Sequence, residues 1–109
     1  MAGVEGSKGP APISPSERKQ YEDEYRRGAA LFQEAVEDYE LGGDKFKNKE
    51  FSDVMRKAMD VLNQAARALH DEQRMREANT IQKDLALFQK DPSDLSRQKL
   101  IADLEQAQQ

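Results

Sequence analysis

The residues able to do covalent chemistry are few and badly placed for it. A nucleophile of the Ser–His or Cys–His type needs a base within hydrogen-bond reach. His70 is the single histidine of the chain and there is no cysteine. His70 lies in the charged run ALHDEQR, which reads as a solvated helix end or turn. A helical di-iron site needs paired Glu-x-x-His motifs, and three residues before His70 stands Arg67. The run Asp44-Lys45-Phe46-Lys47-Asn48 opens like a calcium loop. It places Phe46 where a ligand belongs and Met55 where the closing glutamate belongs. Neither a phosphate-binding glycine loop nor a dinucleotide fingerprint is present. No catalytic residue, metal ligand or cofactor is therefore expected.

Two charge clusters remain. Glu34, Glu37, Asp38 and Glu40 crowd one stretch, and Lys45, Lys47 and Lys49 follow it. Lysines interleaved with Phe46 have the composition of a weak nucleic-acid contact, because lysines meet phosphate and aromatic rings stack on bases. Asp44 and Glu50 flank the run and cancel much of its charge. The chain as a whole carries a net charge of −4, whereas nucleic-acid binders usually present a basic face. A nucleic-acid-binding domain using the Lys45–Lys49 loop is kept as the alternative reading.

The elements that position these residues read as helices. Hydrophobic residues make up 37% of the chain and charged residues 35%, so a lean core sits under a dense charged surface. Glycine and proline are sparse after residue 15, which argues against a many-turned β fold. The expected fold is all-α, a small bundle of three to four antiparallel helices. A Pro/Gly-rich segment, residues 1–15, is expected to be a disordered tail. No apolar stretch is long enough for a membrane span, and the N-terminal residues lack the apolar core of a secretory signal. Without cysteine the chain suits a reducing compartment, and a cytoplasmic location is expected.

The spacing predicts a helical domain over residues 16–109, with four helices. The first runs from Ser16, as N-cap, to about Leu41, with Gly42-Gly43 ending it. Its stripe is Tyr21, Tyr25, Ala29, Phe32, Val36 and Tyr39. The second helix runs over about 51–69 and the third over about 72–90. The stripe ending at Leu69 and the one starting at Met75 point roughly 150° apart if the helix is continuous. A turn at His70–Glu72 would bring both onto one core, and a single long helix is the alternative. The fourth helix, about 92–107, is expected to use Asp91 as its cap and Pro92 as its first residue. Across about 25 residues the third helix, the turn and the fourth helix resemble the helical hairpin of needle-type subunits of type III secretion systems. Leu85, Lys90, Pro92, Ser93, Asp94 and Leu104 carry the resemblance, which implies an assembly or secretion-associated role.

Apolar stripes on every helix, without a catalytic constellation, point to a non-enzymatic protein–protein interaction module. An adaptor, a small chaperone and an assembly subunit all fit. Its partner is expected to be another protein or a second copy, met through helical faces. Tyrosine is favoured at interfaces because one end is apolar and the other tolerates water. Tyr21, Tyr25, Gly28 and Phe32 are therefore the candidate partner-binding residues, with Tyr21 and Tyr25 expected to stay partly exposed. Phe32 and Tyr39 also fit a role in covering the second and third helices.

Overall fold

The computed structural model describes residues 13–109. Most of the expected tail, residues 1–12, lies outside the described residues. Four helices follow in order: α1 (Pro15–Asp38), α2 (Lys45–Leu69), α3 (Glu72–Lys90) and α4 (Asp94–Ala107). Among the described residues there is no strand, and the all-α fold is as expected.

Local chemistry sets each helix end, and at four of them it differs from the expectation. Helix α1 starts on Ser14, not Ser16. The Ser14 hydroxyl accepts the Glu17 N–H at 3.2 Å, and the Glu17 carboxylate accepts the Ser14 N–H at 3.2 Å. This reciprocal cap needs an acceptor three residues on. Ser14 has Glu17 there, while Ser16 has Lys19, which cannot accept. Pro15 then occupies the first helical position, where its missing N–H costs nothing.

The other end of α1 comes at Asp38 rather than Leu41. Tyr39 turns extended, and the buried Asn48 side chain clamps the next residue. Asn48 accepts the Glu40 N–H at 2.9 Å and donates to the Glu40 carbonyl at 2.8 Å. These bonds stand in for the helical ones that Glu40 gives up. Gly42 has φ of +78° but serves the connecting turn and not the helix cap.

Helix α2 begins six residues before the expected start at Phe51. Asp44 accepts the Lys47 N–H at 2.8 Å, so the lysine run taken for a loop is the first turns of a helix. Helices α2 and α3 are separate, as the phase of their stripes predicted. His70 adopts the left-handed conformation with φ of 53° and Asp71 caps α3 through the Gln73 and Arg74 N–H groups. The cap of α4 is Ser93, not Asp91. Its hydroxyl accepts the Ser96 N–H at 3.2 Å and the Ser96 hydroxyl accepts the Ser93 N–H at 3.1 Å. Asp91 closes α3 instead, and Pro92 separates the two helices, where it disfavours helical backbone at the residue before it.

Each helix runs antiparallel to the one before. Neighbours pack as α1–α2, α2–α3, α3–α4 and α4–α1, and the backbones of the two diagonal pairs do not approach. The helices thus close into an up-and-down ring around one core, the arrangement that short connections favour. Tyr25, Phe32, Met55, Leu62, Ile81 and Phe88 are among its fully buried side chains. Tyr39 meets Phe88 edge to face with centroids 5.1 Å apart. Met75, which opens the expected stripe of the third helix, is 38% exposed, and Leu95 in the first turn of α4 is 78% exposed. Among the described residues no helix is long and apolar enough to cross a membrane.

Candidate docking surface

The four candidate partner-binding residues share α1 but not one surface. Tyr21 is half-buried, as expected. Tyr25 is 0% exposed, which corrects the expectation that it stays partly exposed. The N-terminal part of α1 does not taper off, because the start of α3 and the end of α4 close over it. The Tyr25 hydroxyl donates to Glu77 at 2.9 Å, with the Arg74 carbonyl at 3.3 Å as a second acceptor. Phe32 is fully buried and belongs to the core. Gly28 is buried too, under α2: a Cβ there would meet Val61 Cγ1 at 3.0 Å. Its missing side chain is what lets α1 and α2 approach closely.

Tyr25 sits in a polar hub that sequence reading missed. Arg74 lies over its ring, 4.4 Å from the centroid. The guanidinium donates to Glu77 at 2.7 Å, to Glu22 at 3.1 Å and to the Ala107 carbonyl at 3.0 Å. One side chain thereby joins α1, α3 and the end of α4. Burial pushes the Tyr25 phenol well above its usual value, and the bond to Glu77 pushes it further against the pull of Arg74. Burial works against the charge of Arg74, but Glu22 and Glu77 outweigh it and hold the guanidinium above its ordinary value. The hub is a structural tie between α1, α3 and the end of α4.

A second polar pair lies between α3 and α4. Asp84 is buried, with Lys99 at 3.3 Å from one carboxylate oxygen and no donor on the other. Burial first, then the hydrogen bond and repulsion of Asp84, push Asp103 up to about 6; Glu77 adds to this and Lys99 opposes it. A proton on Asp103 supplies the donor that Asp84 lacks. Because the folded-state value is raised above the ordinary 3.8, folding favours the protonated form. The associated stability is fully present below about pH 4 and is lost as pH rises through about 6. The urea midpoint difference between pH 4.5 and pH 7 is therefore expected to shift in Asp103→Asn, toward relatively greater stability at pH 7. An unchanged difference would remove Asp103 from this role.

The uncovered apolar surface lies elsewhere, on the outside of α1 and α2. Gly28 and Leu31 from α1 face Val54, Lys57, Ala58 and Val61 from α2 around a recess of about 340 Å³. Past Leu31 it continues into a smaller one of about 190 Å³, walled by Glu34, Asp38, Glu50 and Phe51. Leu31 is 56% exposed. Glu34, Asp38 and Glu50 make no ion pair among the described residues. The sequence does carry a trace of this surface. Val54, Lys57 and Val61 recur at helical spacing, and Leu31 follows Gly28 by three. Assigning each helix a single stripe left them out.

The lysine run has a different geometry from the one expected. Lys45 and Lys49 lie one turn apart on the same side of α2, while Lys47 leaves the other side and pairs with Glu40 at 2.9 Å. Phe46 is 92% exposed beside them. Compared with models of protein families, with curated proteins and with solved structures, the chain matches none.

Proposed function

We propose that this chain is a non-enzymatic interaction module that docks another protein through the outer face of α1 and α2. A cytoplasmic setting suits its composition. The observation that carries the reading is the apolar recess around Leu31, Val54 and Val61, rimmed by charged side chains. A contiguous apolar patch with a polar rim is the usual mark of a recognition surface. The docking site thereby moves from the tyrosines of α1 to the neighbouring face of the same helix. A nucleic-acid role gains little support, since Lys47 is already paired with Glu40 and the carboxylates Asp44 and Glu50 flank the lysines of α2.

The reading is tested by placing a photo-crosslinking amino acid at Leu31 and, separately, at Lys83 on the exposed face of α3. Irradiation in the native cell is expected to give one or a few discrete adducts from position 31 and none of them from position 83. The same adducts from both positions would defeat the proposal.

A further inference from the structure

We infer that the occupant of the α1–α2 recess is an amphipathic helix of another protein, with its basic end lying against Glu34, Asp38 and Glu50. This rests on the docking role proposed above and specifies its partner.

The shape argues for a helix. The recess runs along two antiparallel helices from Val61 to Glu50. Eleven residues of α2 separate these ends, which at 1.5 Å per residue is about 16 Å, or three helical turns. Residues at helical spacing on a partner could then set Leu31, Val54 and Val61 against its apolar face. Strand addition would need an open sheet edge, and the described residues contain no strand.

The charges argue for a basic helix, and for one orientation. Three carboxylates without an ion-pair partner among the described residues gather at one end of the recess. Glu34 and Asp38 belong to the last turns of α1, whose final turn holds no basic residue. Negative groups near the C-terminal end of a helix oppose its dipole. A lysine or arginine brought there would meet both the carboxylates and the exposed carbonyls of that helix end. At the other end the rim is Lys57, beside Val61. The partner's basic residues therefore belong at its end near Asp38, and an uncharged or acidic end belongs near Lys57. A second copy is a poorer match, because a two-fold pairing would bring only one lining cation, Lys57, against the three carboxylates.

Fluorescence anisotropy tests the inference with designed probes at about 0.15 M salt, where long-range attraction is screened within about 8 Å. One probe is a 14-residue helical peptide with leucines at positions spaced i, i+3, i+4 and i+7 and lysines clustered at one end. The other carries glutamates in place of the lysines. The lysine peptide is expected to bind at least about 10-fold more tightly, which corresponds to a modest gain from two or three charge contacts. Glu34→Lys/Asp38→Lys should abolish that preference. Asp60→Lys/Glu105→Lys changes the net charge equally, at exposed positions away from the recess, and should leave it within about twofold of wild type, as expected for screened charges. Circular dichroism would establish that both variants fold.

Equal binding of the two peptides, or equal loss in both double variants, would overturn the basic-helix assignment. Dimerisation abolished by Leu31→Lys would also overturn it, by giving the recess to a second copy. If crosslinking from position 31 persists while the peptides fail to discriminate, the docking role stands and only the partner's chemistry is wrong. If position 31 gives no adduct either, both fall.

Discussion

Replacing Tyr25 with serine is expected to lower the free energy of unfolding by about 3–5 kcal/mol, the range for removing a large buried aromatic side chain. Tyr25 is fully buried, so truncation leaves a cavity between α1, α3 and the end of α4. It also removes the donor to Glu77 and the ring beneath Arg74. The partner groups stay buried without it, which adds to the loss. Tyr21→Ser provides the contrast. Tyr21 is half-buried, and its loss should cost under about 1 kcal/mol. Urea unfolding of the two single variants reads the difference directly. Comparable small losses in both would mean that the amino-terminal turns of α1 are loosely held. For a domain whose total stability is of the order of 5–15 kcal/mol, the Tyr25 variant should be partly unfolded at physiological temperature.

Arg74→Met is the second large effect, expected at about 3 kcal/mol. Its side chain is 12% exposed and bridges Glu22 and Glu77, themselves only 21% and 17% exposed. Removing the cation leaves two screened-off carboxylates facing each other across α1 and α3. Breaking such a pair usually costs more than the pair itself contributes, because the remaining charge is stranded. The same reasoning predicts the rescue. Arg74→Met combined with Glu22→Gln and Glu77→Gln should recover most of the loss, since no uncompensated charge remains. A loss below about 1 kcal/mol, the range of an exposed ion pair, would place the hub at the surface in solution.

The helices themselves were legible in the sequence because helix formation rests on contacts within four residues. The stripes of α1 to α4, the separation of α2 from α3 and the extent of α3 all follow from the 3.6-residue period and its phase. Helix ends were harder, although their chemistry is equally local. Ser14 and Ser16 compete for one role, as do Asp91 and Ser93, and the winner is the residue with a reciprocating side chain three positions on. That rule would have moved the first cap; it does not separate Asp91 from Ser93, because Asp94 stands three positions past Asp91 as Ser96 does past Ser93. The start of α2 was missed for another reason. Asp44 was read as part of a charged loop, and Asn48 as one more polar residue within it. Its burial against Glu40 depends on how the chain folds back after Tyr39.

Burial of Tyr25 and exposure of Leu31 could not be read from α1 alone. Both residues lie on one helix, and each has the composition of a core residue. Which one is covered depends on where the other three helices stand. In a ring of four, α1 meets α2 on one flank and α4 on the other, and long side chains reach inward from α3. Tyr25 points into that enclosure, where Arg74 and the last turn of α4 close over it. Leu31 points out between α1 and α2, where none of the described residues covers it. Local periodicity and short turns are properties of neighbouring positions, and the sequence determined them by itself. The Arg74 hub, the Asp84–Asp103 pair and the open α1–α2 face join residues many positions apart. Only tertiary packing could decide those, because it sets which apolar faces find a partner and which are left to face water.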